Sequence, residues 1–145
     1  MKKEDHLGFK INTISHLIRR SMDIKNESAN IPELTRSQVW VIRYISEEGE
    51  KGDIYQRDLE KAFNIRRSTA TGILQLMEKK GLVERLPVPH DARMKKLVLT
   101  DYAVQINEKM KENIDTMENV LRKGITEEEA KVFRTVCDKI IHNLE

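Results

Sequence analysis

The stretch from residue 55 to residue 100 permits few folds. It reads YQRDLEKAFNIRRSTATGILQLMEKKGLVERLPVPHDARMKKLVLT. Apolar residues return every three or four positions over Gln56–Phe63 and again over 67–80, which predicts two short helices. Only Asn64, Ile65 and Arg66 separate them, a gap suited to a helix-turn-helix. An apolar, β-rich run at 82–88, a polar turn at 89–93 and a second run at 97–99 then predict a hairpin. Two helices and a hairpin in this order describe a winged helix-turn-helix, with the second helix as recognition helix and the hairpin as wing.

Charge is concentrated in the same place. Residues 55–100 hold ten Lys/Arg and five Asp/Glu, a balance of +5, whereas the whole chain is +2 and the remainder therefore −3. A basic lobe on a nearly neutral chain is the electrostatic footprint of a phosphate-binding face. A solvated charged surface is the plain alternative. Agreement between charge, helix spacing and hairpin favours the phosphate-binding reading.

Within the recognition helix, Ala70, Ile73, Leu74 and Met77 are predicted to face the core. Arg67, Ser68, Thr71, Gly72 and Gln75 fall on the opposite side, small, polar or basic side chains fit to reach phosphates and base edges. Gly72 costs about 1 kcal/mol of helix propensity relative to alanine. Close approach of the helix backbone to DNA explains it, and so does tight internal packing. In the wing, Pro89-His90-Asp91-Ala92 forms the turn, and Asp91 accepts backbone N–H bonds that stiffen it. Arg93 stands at the tip, placed for a minor groove, with Lys95 and Lys96 flanking it on phosphates. His90 has no second ligand at metal spacing, so no metal site is expected. The expected DNA-binding set is Gln56, Arg57, Arg66, Arg67, Ser68, Thr69, Thr71, Gly72, Gln75, His90, Arg93, Lys95 and Lys96, with Asp91 stabilising the wing.

The flanks are helical. Leu7, Ile11, Ile14, Ile18 and Met22 form one stripe over residues 5–25, and 28–34 is a loop containing Pro32. Thr35 and Gln38 match a capping box for a helix running to about residue 46, with Val39, Ile42 and Ile45 inward and Trp40 as a packing aromatic. Ile54 is expected to make a very short strand against the wing, and Leu59, Ala62 and Phe63 to face the core. A long helix follows from 101 to about 123, with Ile106, Met110, Ile114, Met117 and Leu121 recurring every three or four residues until Gly124. Thr126 and Glu129 cap the last helix, whose apolar face is Val132, Phe133, Val136, Ile140 and Leu144. Three apolar stripes outside a small lobe predict an interface, and a two-fold homodimer is the commonest answer. The chain is thus expected to be mainly α with a small β-hairpin wing: a dimerisation helix and loop at 5–34, a DNA-binding lobe at 35–100, and dimerisation helices at 101–145.

Several segments together resemble the MarR family of regulators. They are Asp58-Leu59 with Ile65-Arg66-Arg67-Ser68-Thr69-Ala70-Thr71; Leu76-Met77-Glu78-Lys79-Lys80-Gly81-Leu82-Val83; and Asp91-Ala92-Arg93 followed by Leu97-Val98-Leu99-Thr100, similar to the family's D-x-R wing signature and closing L-T. The close match covers about a third of the chain. The sequence departs from the family at Gly72, where a basic or bulky residue is frequent, and at Thr100-Asp101-Tyr102-Ala103, where a glycine often follows the L-T pair. The resemblance implies a single domain over the chain, double-stranded DNA with a pseudo-palindromic operator as partner, and a homodimer joined by its terminal helices. It also implies repression relieved by a small aromatic or phenolic effector. The competing reading is a winged-helix module that binds protein without specific DNA binding.

Other classes find little support. The histidines are scattered, and no H-E-x-x-H, Gly-rich phosphate loop or nucleophile context occurs, so neither an enzyme nor a cofactor is expected. No apolar run approaches a membrane span, and the charged N-terminus lacks a signal-peptide core, giving a cytoplasmic expectation without membrane partners. Cys137 is the only cysteine, which excludes an intrachain disulfide, and it is expected to be a buried structural thiol.

Overall fold

Between α3 (Gln56–Phe63) and α4 (Arg67–Lys79) the chain turns on Asn64, which takes the left-handed conformation with φ 51°. The Ile65 N–H reaches the Glu60 carbonyl, and that of Asn64 reaches Lys61, so the last carbonyls of α3 are satisfied within the turn. Gly81 ends α4 in the same manner with φ 70°: Leu82 N–H bonds to Met77 O at 2.9 Å and Gly81 N–H to Glu78 O at 3.0 Å. That closure carries Leu82 directly into the core, where it is 1% exposed.

The computed structural model describes residues 2–145. Among these residues the order is a 3-10 turn Lys3–Asp5, α1 (Leu7–Ser28), α2 (Arg36–Glu48), α3, α4, β1 (Val83–Val88), β2 (Asp91–Leu99), α5 (Asp101–Arg122) and α6 (Glu127–Leu144). The expected mainly α fold with one antiparallel hairpin is therefore the fold observed. Contacts divide the chain into two compact units, Asn26–Lys111 and Met1–Lys25 with Glu112–Glu145.

The unit Asn26–Lys111 holds the winged helix-turn-helix. Its core gathers Val41, Ile42 and Ile45 of α2, Leu59 of α3, Leu74 and Met77 of α4, Leu82, Val83 and Leu97 around the hairpin, and Ala103, Ile106 and Met110 of α5. Two capping residues fix its helix starts. Thr35 and Gln38 make the expected capping box on α2. Thr100 caps α5 by accepting from Ala103 N–H at 3.1 Å, and its hydroxyl donates to Gly81 O at 2.6 Å, so one side chain joins the end of α4 to the start of α5. Ile54 bridges Leu97, whose N–H donates to Ile54 O at 2.7 Å, as the sequence led us to expect.

Some expectations need correction. On α2 the fully buried stripe is 38, 41, 42, 45, so Val41, which was not expected there, joins Ile42 and Ile45, while the expected Val39 packs against the core half-buried. Ala62 is exposed, because the eight residues of α3 present Leu59 and, partly, Phe63 to the core. Trp40 is the packing aromatic expected, stacked on Phe63 with ring centroids 6.0 Å apart, although 50% of it stays exposed. The α1 helix extends to Ser28, three residues beyond the expected end, and stops at Asn30 with φ 55°.

The second unit is entirely helical. Thr126 and Glu129 form the expected capping box, and Gly124, with φ 76°, precedes it. Neither α1 nor α6 contains a buried residue. Leu7 is 66% exposed, Val132 63%, Phe133 60% and Leu144 82%. Ile114 and Leu121 are exposed as well, whereas Met117 is buried. Cys137 is only partly buried, so the expected buried thiol is not observed; it lies on a helix that buries no residue in this chain. No described helix is long and apolar enough to cross a membrane.

Candidate nucleic-acid interface

The strand register decides which wing side chains meet the recognition helix. Val83 pairs with Leu99, Arg85 with Leu97 and Pro87 with Lys95, so these residues share one face of the hairpin, the face on which Leu97 is buried. Glu84, Leu86, Lys96 and Val98 occupy the other. The register then slips between Pro87 and Val88, and Val88 pairs with Asp91. This bulge lengthens the β2 side by Ala92, Arg93 and Met94. The connecting turn is only Pro89-His90, shorter than the expected turn, so Arg93 lies inside β2 within the bulge and not at the tip. Asp91 Oδ1 accepts the Arg93 N–H at 2.9 Å, the backbone bond expected of Asp91.

A groove of about 600 Å³ runs between this face and the two helices. Tyr55, Gln56, Arg57 and Glu60 line it from α3 and its start, Arg67 and Thr71 from α4, Arg85 from β1, and Arg93, Met94 and Lys95 from β2. Five of these side chains are basic and one is acidic. Arg57 lies over the Tyr55 ring, 5.5 Å from its centroid. Arg85 is ion-paired with Glu78 of α4, which ties the wing to the recognition helix. Gln56 Nε2 donates to Thr71 Oγ1 at 2.9 Å and to Arg67 O at 3.3 Å, which ties α3 to α4.

Of the expected DNA-binding residues, Gln56, Arg57, Arg67, Thr71, Arg93 and Lys95 converge on this groove. Arg66, Ser68, Thr69, Gly72, Gln75 and His90 are exposed but do not line it. Lys96 departs from the expectation that it flanks Arg93 beside Lys95. Strand alternation turns it to the opposite face, where its Nζ stands 3.7 Å from Asp53 Oδ1. Gly72 is resolved in one respect: a Cβ built there meets no heavy atom within 4 Å, so internal packing does not require the glycine.

Arg85, Tyr55, Glu60 and Met94 line the groove without having been singled out from the sequence. Arg85 was legible in principle, since it stands two residues after the buried Val83 and so on the same strand face. Treating 82–88 as one apolar run concealed that alternation. Among the described residues no cluster of His, Cys, Asp or Glu has the form of a metal site. The Tyr44 phenol is raised above its ordinary pKa, first by burial and then by Asp58 and Glu48, but it packs edge-on to Phe63 away from the groove lining.

The comparisons with known proteins agree with this geometry. Residues 33–94 match the MarR family model. The HTH-type transcriptional repressor IacR of Pseudomonas putida is 32% identical over 78 residues, which cover 54% of this chain and 47% of IacR, so the chain matches about half the length of that relative. Among solved structures, the S. aureus MepR–DNA complex is 25% identical with a TM-score of 0.75, covering 95% of this chain and 99% of MepR. MepR bound to ethidium bromide is 24% identical with a TM-score of 0.76, covering 99% of this chain and 100% of MepR. Residues 33–94, which hold the helix-turn-helix and most of the hairpin wing, are thus similar to the MarR family, and the chain shares the winged helix-turn-helix fold of MepR.

Proposed function

We propose that this chain acts as a homodimeric repressor that grips a pseudo-palindromic operator and releases it when a small aromatic molecule binds. The observation that carries the DNA reading is the groove between α4 and the wing, where Arg57, Arg67, Arg93 and Lys95 line one wall set with a single acid, Glu60, and Arg85 is held by Glu78. Four cations besides the paired Arg85 on one concave face suit a phosphate backbone. The exposed polar side of α4, with Ser68 and Gln75, suits base edges in the major groove. The repressor name of IacR and the DNA-bound form of MepR support the same reading. In this reading residues 35–100 bind DNA, whereas 5–34 and 101–145 join two chains. The exposed apolar residues of α1 and α6 support that assignment. Effector release rests on the family and on the ethidium-bound form of MepR. The charge pattern weighs against the alternative, a module that binds protein only.

Duplexes selected from a random pool supply the test. Arg93→Ala should weaken selected and random duplexes by similar factors, and the slope of log K against log salt should become shallower by about one unit. Lys96→Ala should change the slope far less, because Lys96 faces Asp53 and not the groove. Equal slopes in the wild type and Arg93→Ala would remove the wing from the DNA contact. Absence of any salt-dependent binding by the wild type would remove the DNA reading itself.

A further inference from the structure

The contact between α3 and α4 carries information about what the recognition helix reads; the argument rests on the DNA-binding role proposed above. The Gln56 amide makes two bonds, from Nε2 to Arg67 O at 3.3 Å and to Thr71 Oγ1 at 2.9 Å. A backbone carbonyl only accepts, so the atom against Arg67 must be the amide nitrogen. Flipping the amide would set two oxygens against each other. Arg67 O therefore fixes the amide orientation independently of Thr71. It follows that Thr71 Oγ1 accepts from Gln56 and that its own O–H points elsewhere.

Helical threonines can turn that hydrogen back to the carbonyl four residues earlier. Thr13, Thr116 and Thr135 do so here, donating to Phe9 O, Glu112 O and Lys131 O. Thr71 has no such bond among the described residues; the carbonyl four residues before it is Arg67 O, which Gln56 already engages. The Thr71 side chain remains partly accessible beside the exposed Gly72 and Gln75.

We propose that Gln56 is a positioning residue that holds the Thr71 hydroxyl as an outward-facing donor. The recognition helix then reads a base acceptor at that position: N7 or O6 of guanine, N7 of adenine or O4 of thymine. It selects against the amino edge of cytosine, which offers only a donor there. Thr71 makes the base contact, and Gln56 acts through it without touching the base.

The experiment measures base preference at each operator position by competitive selection, using full-length wild type, Gln56→Ala, Thr71→Val and the double variant. Thr71→Val keeps the shape and removes the hydroxyl. Melting curves monitor folding, and affinity for a random duplex monitors general DNA binding. One position is expected to favour acceptor bases in the wild type by about tenfold. Gln56→Ala and Thr71→Val should each flatten that position by a similar factor and cost more on the selected than on the random duplex, and the double variant should be no flatter than either single one. Thr71→Ser should restore the preference on the Gln56 background. Additive effects of the two substitutions, or a wild-type profile in Gln56→Ala, would overturn the assignment. Equal losses on selected and random duplexes in Gln56→Ala would overturn it too, by making Gln56 a backbone contact. Those results leave the DNA-binding reading standing; only a wild type without salt-dependent, sequence-selective binding removes both.

Discussion

An aspartate at Val136 is expected to leave the protein monomeric at micromolar concentration and to lower its operator affinity at least a hundredfold. Val136 lies on the apolar face of α6 with Val132, Phe133, Ile140 and Leu144, and it is 42% exposed within the chain. Because α6 buries no residue within the chain, the substitution removes no internal core contact. In the proposed dimer its cost falls on the seam between the chains. A carboxylate carried into an apolar seam without a partner costs several kcal/mol, and a two-fold seam receives two of them. Loss of the dimer then separates two DNA-binding lobes. Binding one half-site no longer holds the second lobe at high effective concentration, a gain typically worth about 10²–10⁴ in avidity. Sedimentation should report about twice the 17.0 kDa chain mass for the wild type and the single mass for the variant. The core of the unit Asn26–Lys111 does not include Val136, so its melting transition should persist. A wild type that sediments as a monomer, or a Val136→Asp protein that still dimerises, would end the proposed arrangement.

The sequence was most legible where one local rule acts alone. The three-residue gap at Asn64-Ile65-Arg66 appears as read, because a left-handed Asn and its two return bonds close a helix with no help from elsewhere. The capping boxes at Thr35 and Thr126 appear for the same reason. Errors arose where two constraints compete. On α2, both Val39 and Val41 fit an apolar period, and only the position of the neighbouring elements buries Val41 fully and Val39 in part. At the candidate site, the basic residues were legible as a set but not by face. Lys95 and Lys96 are adjacent letters on a strand, and pleating sends them to opposite sides, Lys96 toward Asp53. The bulge after Pro87 has no signature strong enough to locate from sequence, and it moves Arg93 from the tip of the turn into β2. The bond from Gln56 to Thr71 joins residues fifteen apart, so it depends on the angle between two helices that no periodicity reports.

Gly72→Ala is expected to make the protein more stable and worse at binding DNA. Three intramolecular reasons for a helical glycine can be tested on the structure. A left-handed backbone is one, but Gly72 is not among the residues with positive φ. Close packing is the second, but a Cβ at Gly72 meets no heavy atom within 4 Å. A helix terminus is the third, but Gly72 lies in the interior of α4, which runs from Arg67 to Lys79. Alanine at such an exposed interior position should stabilise the helix by about 1 kcal/mol, partly by reducing the freedom of the unfolded chain. For a chain of this size the melting temperature should rise by about 3 °C. The same methyl projects from the exposed side of α4 that also carries Ser68 and Gln75. If that side lies in a major groove, the methyl stands between helix backbone and base edges, and overpacking of this kind typically costs about 1–3 kcal/mol. Affinity for the selected operator should therefore fall about tenfold or more, while a random duplex, held through phosphates at the groove, should lose less. Opposite signs for stability and binding separate a recognition role from a folding role. A higher melting temperature with undiminished operator affinity would show that nothing approaches the helix at Gly72, and the docking of this face into the groove would have to be abandoned.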